Sequence, residues 1–512
     1  MYNLTLNQIL QNNYQAKGNR IAVYKEFLND METPFSILMK IYNKNSYCFL
    51  LESAVVGFYR QNDRYSFVGV NPYLIMKFKD GIAEINRNGK EEKTNIYGHP
   101  LDFIREEINK INYITQEDVS LPFVGGAVGY MGYDTIKYYE KIELPKKDDL
   151  KIYEGICCFY DYFIVFDNFH NSLKIVGLLP LDGNIRQNYK TVINNIENIE
   201  RKIKKKTDIK SFIPIGMFDF SSRKINKLKF KSNITRDYFT DMVKKAKKYI
   251  RAGDIFQVVL SQRFSLDLKI NPIEIYRVLR SMNPSPYMFY LNFIDYQILG
   301  ASPEVMIRVV DGNILLCPLA GTRPRGKNEE EDKKYEQELI NSEKERAEHI
   351  MLVDLGRNDV GRVAKPGTVK VENLMHFLKF SHVQHLNSEV KGVLADDKNV
   401  YDAFKSALPR GTVSGAPKIR AMEIISELEK DRRLHYGGAV CYFSFNGNMD
   451  SAIMIRTLLV KQNKIYVQAG AGIVADSIPE HEYKETINKS MGLLKAVETA
   501  KEIQAKKFGG CK

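Results

Sequence analysis

Tryptophan is missing altogether from the 512 residues, and cysteine is scarce, with six. The cysteines, at 48, 157, 158, 317, 441 and 511, form no CxxC pair and no zinc spacing. Several lie in apolar runs where a free thiol packs as a small hydrophobe, which suits a reducing compartment. Long hydrophobic runs are also lacking. The longest, such as 49–56 and 453–460, are strand-length and carry polar or charged residues, far short of a bilayer span. The start, Met1-Tyr2-Asn3-Leu4, has no basic cluster ahead of an apolar core and no lipidation motif. No membrane association is therefore expected, and the expected location is the cytoplasm.

What is present is an ordinary apolar content, 44%, with 27% charged residues and a formal net charge of +13. A chain this long exceeds one simple core and predicts two interlocked domains. The basic balance, with lysine-rich stretches at 204–206 and 244–248, raises nucleic acid as a partner. Those lysines alternate with helix formers and lack the interleaved aromatics or glycines of a nucleic-acid module, and a positive field equally favours a dianionic small substrate. No nucleic acid is expected. Residues 1–195 read as an α+β region rich in strands, 196–231 as a lysine-rich and then polar linker containing Ser221-Ser222-Arg223, and 232–505 as a second domain. In that domain helical patterns at 236–252, 272–282, 332–355, 418–428 and 480–500 alternate with strand patterns at 256–265, 288–293, 305–310, 437–445, 452–460 and 464–468.

Two acidic helices carry the first chemical signal. The three-residue step puts Glu345 and Glu348 on one face of 332–355, and Glu482 and Glu485 on one face of 480–500. If the two faces meet, four carboxylates converge, and all-oxygen ligation of that kind favours Mg²⁺. The same residues also spell ordinary helix chemistry: Ser342 with Glu345 is a capping box, and Glu485 with Lys489 an i,i+4 ion pair. Glycines supply an anion signal. Gly470-Ala471-Gly472 ends a strand and bares backbone amides, and Arg456 offers a bidentate fork for a carboxylate; a tight turn and a surface arginine explain both equally well.

Further motifs give the chain a recognisable order. They include Leu50-Leu51-Glu52-Ser53, Gly125-Gly126-Ala127-Val128-Gly129-Tyr130, Asp254-Ile255-Phe256-Gln257, Asn283-Pro284-Ser285-Pro286-Tyr287-Met288, Gly300-Ala301-Ser302-Pro303-Glu304, Ala320-Gly321-Thr322-Arg323 and Gly411-Thr412-Val413-Ser414-Gly415-Ala416-Pro417-Lys418. In these the chain resembles, almost end to end, the chorismate-utilising enzymes and, among them, the large subunits of anthranilate synthases. The resemblance implies an α+β fold of stacked antiparallel sheets flanked by helices, with a smaller N-terminal region packed on the core. It implies Mg²⁺ held directly by Glu348 and Glu485, with Glu345 and Glu482 acting through water. Chorismate would be held by Gly321, Thr322, Tyr436, Arg456, Gly470, Ala471, Gly472 and Lys489. Glu304 resembles the general acid for the departing C4 hydroxyl, and His385 resembles the histidine associated with loss of pyruvate, where a lone histidine in an apolar stretch otherwise reads as core. Ser53, Pro286, Tyr287 and Met288 resemble a pocket for L-tryptophan as feedback inhibitor.

Chemistry separates the sister activities. Enzymes that add water to chorismate carry a lysine base where this chain has Gln257, and an amide takes no proton from water. Some folate-pathway sisters carry a lysine nucleophile where this chain has Ala320. Cys317 and Arg410 depart from the family pattern. No cysteine sits in a glycine-rich elbow, so the ammonia is expected from a separate glutaminase subunit. The lack of tryptophan is compatible with a protein needed when tryptophan is scarce.

Overall fold

The computed structural model describes residues 1–53, 64–116, 121–205, 228–380 and 383–509, with side chains as far as 505. Ser221-Ser222-Arg223 and Cys511 lie outside the described residues. Two antiparallel sheets of twelve strands each dominate the molecule, as the α+β expectation required. The first runs from Arg20–Leu28 through Ser172–Pro180, Tyr162–Asp167, Tyr65–Val70 and Cys48–Glu52, and continues into Tyr287–Asn292, Tyr296–Ser302, Thr457–Lys461, Lys464–Ile473 and Gln257–Asp267. The second runs from Leu319–Pro324 and Val383–Val393 through Asn313–Leu316, Val305–Val310, Met449–Ile453 and Ala439–Ser444 to Gly126–Met131, Gly155–Tyr160 and Leu74–Lys79.

Each sheet is therefore made by both halves of the chain. Met288 pairs with Glu52 and Leu291 with Phe49 in the first, and Cys441 pairs with Gly129 in the second. Aromatic side chains from the two sheets interlock in the core between them, with Phe49 on Tyr160 at 4.8 Å between ring centroids and Phe123 on Phe163 at 5.1 Å. With both faces covered, strands such as Gly155–Tyr160 are buried throughout and read as unbroken apolar runs. Helices cover the outer face of the first sheet, where Ile273, Tyr276 and Leu279 of Pro272–Met282 join Leu494 and Val497 of the last helix, Pro479–Gly509, in a second core.

Local chemistry sets the boundaries. Pro272 occupies the first turn of its helix and Asn271 caps it, accepting from Ile273 N at 3.2 Å. The lysines at 244–248 lie on Arg236–Arg251, whose opposite face buries Phe239, Met242 and Val243, so the run is the polar side of an amphipathic helix. Three expectations differ from the structure. The stretch read as a linker from 196 begins as the end of a helix, Ile185–Lys204, whose buried stripe of Val192, Ile196 and Glu200 is masked in sequence by the lysines around it. The single helix expected at 332–355 is two, Glu329–Asn341 and Glu343–Gly361, because Ser342 turns extended and caps the second. The single strand expected at 452–460 is also two, Met449–Ile453 and Thr457–Lys461, parted at Arg456, which takes φ +51°. Among the described residues no helix is long and apolar enough to cross a membrane.

Candidate active site

Both parted elements open onto one cavity of about 510 Å³. The ladder between Leu319–Pro324 and Val383–Val393 slips there: Ala320 faces Leu386 and Arg323 faces Gln384, so Gly321 and Thr322 together oppose His385. This bulge bends the strand and turns the three residues toward the cavity. Gly321 has φ +62°, a conformation suited to glycine, and a Cβ there would lie 3.2 Å from the Glu345 carboxylate. His385 Nδ1 donates to the Gly321 carbonyl at 2.8 Å and lies 3.1 Å from Thr322 Oγ1. A carbonyl only accepts, so the proton sits on Nδ1 and Nε2 keeps its lone pair. Burial pushes the imidazole pKa down to about 4, leaving the ring neutral at neutral pH.

Glu304 occupies the turn between Tyr296–Ser302 and Val305–Val310 and is buried. Thr412 Oγ1 donates to its Oε1 at 3.1 Å. Burial pushes its pKa up to about 7, against the opposing pull of Arg410 and Thr412. It can therefore hold a proton near neutrality and give it up, as a general acid must.

The Glu345/Glu348 face and the Glu482/Glu485 face line this same cavity. Ser342 Oγ accepts from Glu345 N at 3.3 Å, so the capping reading holds for the serine, while the Glu345 carboxylate reaches Arg323 at 3.5 Å. Glu348 Oε1 accepts from Gln257 Nε2 at 3.1 Å, and burial, with Glu345 nearby, raises its pKa. Burial, with Glu485 beside it, also raises Glu482. Glu485 forms the i,i+4 pair with Lys489 at 2.7 Å. Among the described residues no three His, Cys, Asp or Glu side chains are drawn into a metal-binding group. The donor set nonetheless fits a hard cation: four carboxylates face one space, and two are held there against burial and a like-charged neighbour.

Across the cavity, Arg456 Nη1 donates to the Lys489 carbonyl and Lys489 Nζ donates to the Gly470 carbonyl at 3.1 Å. A Cβ on Gly470 would lie 2.9 Å from the Tyr436 hydroxyl, and one on Gly472 2.6 Å from Gln257 Nε2, so both glycines make room for a neighbour's polar group. Ala471, on the alternate face of the strand, points instead into the apolar cluster of Phe239 and Met242. Sequence reasoning assigned no role to Thr412, though its motif was visible, and overlooked Arg433. The Arg433 guanidinium donates to the Val413 and Val259 carbonyls at 2.7 and 2.6 Å, is paired with Glu429, and lies over the Tyr436 ring, fixing the wall that carries Tyr436 and Thr412.

Residues 71–495 match the family model described as chorismate binding enzyme. The chain belongs to the chorismate-binding enzymes. It is 48% identical over 494 residues to anthranilate synthase component 1 of Acetivibrio thermocellus, covering 95% of this chain and 97% of that one. The solved structure of anthranilate synthase component I from Streptococcus pneumoniae superposes with a TM-score of 0.73 at 38% identity, covering 91% of this chain and 98% of that one. A menaquinone-specific isochorismate synthase from Escherichia coli shares the fold, with a TM-score of 0.68 at 17% identity over 96% of this chain and 98% of its own.

In this chorismate-binding enzyme a second, narrow cavity of about 70 Å³ brings together Ser53, Pro286, Tyr287 and Met288, with walls from both halves of the chain. Ser53 Oγ is buried there without a hydrogen-bond partner among the described residues. The Tyr287 hydroxyl donates to Asp450 at 3.0 Å, and neighbouring Glu52 accepts from Tyr276 at 2.6 Å and Arg280 at 2.8 Å.

Proposed function

We propose that this enzyme converts chorismate and ammonia to anthranilate and pyruvate, the entry step of tryptophan biosynthesis, in the cytoplasm. The observation that carries the reading is Gln257, whose amide nitrogen is committed to Glu348: the cavity offers no base there to draw a proton from water, and ammonia needs none. Ala320 on the cavity wall offers no amine for covalent addition, and the names of the close relatives agree. Arg456, Lys489, Tyr436 and the Gly470 and Gly472 backbone would grip the enolpyruvyl carboxylate, with Gly321 and Thr322 toward the ring. Glu348 and Glu485 would hold Mg²⁺ directly, with Glu345 and Glu482 through water; bound there, the ion supplies Lewis-acid and template chemistry at the ring carboxylate. Glu304 gives its proton to the C4 hydroxyl, which leaves as water while ammonia bonds to the ring. His385 Nε2 then takes the ring proton whose loss makes the ring aromatic as the side chain departs as pyruvate.

Incubating the purified chain with chorismate, Mg²⁺ and ammonium at alkaline pH should yield anthranilate fluorescence, and Glu348→Gln and Glu485→Gln should each abolish it at ordinary Mg²⁺ without unfolding. Finding 4-amino-4-deoxychorismate instead, or full activity in both variants, rejects the reading. Glutamine should serve as nitrogen donor only when a glutaminase subunit is added. L-Tryptophan would inhibit from the Ser53 cavity, where the partnerless hydroxyl and Met288 offer a polar and an apolar contact. Ser53→Phe should then relieve inhibition and leave uninhibited turnover intact; turnover indifferent to millimolar tryptophan in the parent refutes the regulatory role.

A further inference from the structure

Behind Glu304 lies a buried cluster of charges that the reaction as described does not use. Arg410 is 1% exposed and Asp359 0%. Asp359 Oδ1 accepts from Lys418 Nζ at 2.7 Å, and Oδ2 from Arg410 Nη1 at 3.4 Å. The shorter bond commits Asp359 mainly to Lys418. Two cations thus share one carboxylate, leaving one positive charge in excess away from water, and Arg410 Nε has no hydrogen-bond partner among the described residues. Arg410 stands two residues before Thr412, the residue bonded to the Glu304 carboxyl, and its charge opposes the effect of burial on that carboxyl.

Resting on the function proposed above, we propose that Arg410 is a positioning residue for catalysis: it is the electrostatic counterweight to Glu304, stabilising the carboxylate left when the proton passes to the departing hydroxyl. The sequence supports a dedicated role, because arginine here is a departure from the family pattern. A fully buried acid without such a neighbour holds its proton too tightly, and a cation within a few ångströms restores donation without itself touching substrate. Around this pair the remaining charged groups are Lys418 and Asp359 within the cluster, Arg362 at its edge, and His385, Glu345, Glu348, Arg456 and Lys489 along the cavity.

The test is the pH profile of ammonium-dependent anthranilate formation at constant free NH₃ and Mg²⁺. Activity requires protonated Glu304, so it falls as pH rises through the pKa of that group. Arg410→Met should move this alkaline limb upward by about one unit or more and lower kcat, with Arg410→Lys returning both toward the parent. Asp359→Asn should do the opposite: it increases the positive charge excess and moves the limb downward, a sign that loss of packing does not produce, and it decides the matter if Arg410→Met fails to fold. Coincident limbs in the parent and every folded variant overturn the proposal. A parent that makes no anthranilate instead rejects the underlying function.

Discussion

Glu304 shows how one residue trades stability for chemistry. Its pKa rises from an ordinary 4.5 to about 7 in the fold because burial penalises the charge. Between those values the unfolded chain has lost the proton and the folded chain keeps it, so stability is greatest below the lower value. It is surrendered at about 1.4 kcal/mol per unit as pH climbs toward the upper one. Glu304→Gln should remove this slope, and thermal melts at pH 5 and pH 8 should differ less for the variant than for the parent. The same variant should form anthranilate roughly a hundredfold more slowly or worse. A variant that keeps both the slope and the rate removes Glu304 from the role of acid. None of this burial was legible in the sequence: the hydroxyl that bonds Glu304 comes from a position 108 residues away.

At the scale of elements, the informative places are the interruptions. Arg456 parts two strands that a run of apolar residues made look like one, and no glycine marks the break, so the sequence could not show it. Its left-handed backbone costs about 1 kcal/mol relative to glycine. Arg456→Gly is accordingly expected to melt no lower than the parent while raising the KM for chorismate roughly tenfold or more, because a charge-assisted contact to a carboxylate is lost. A lower melting point with unchanged KM assigns Arg456 a structural role instead. The two carboxylate faces were legible, because a helix converts a three-residue spacing into a shared side. The bulge at Gly321 was legible only as a glycine; the slip that sets Gly321 and Thr322 against His385 depends on a strand more than sixty residues away. Ala471 was assigned with its neighbours because the motif was read as a block, whereas a strand sends alternate side chains to opposite faces.

For the whole molecule, the continuity of both sheets decides how it folds. The N-terminal region is not a cap on a finished core. It supplies the strands beside Tyr287–Asn292 and Ala439–Ser444, and without it each would be left as an apolar edge. A chain cut to residues 228–512 should be insoluble or inactive, and adding residues 1–205 as a separate chain should restore activity if the edges reseal; a stable, active C-terminal piece refutes this dependence. The intact enzyme should melt in one transition. The hairpin of Tyr287–Asn292 and Tyr296–Ser302 also has a mechanical meaning. Its rungs join Tyr287 to Ser302 and Met288 to Ala301, at the Ser53 cavity, and the chain leaving the last rung reaches Glu304 two residues on. The chamber at Ser53 and the proton donor are thus fastened to one end of a single stiff lever, and a wedge driven beneath that end has only Pro303 between it and the acid.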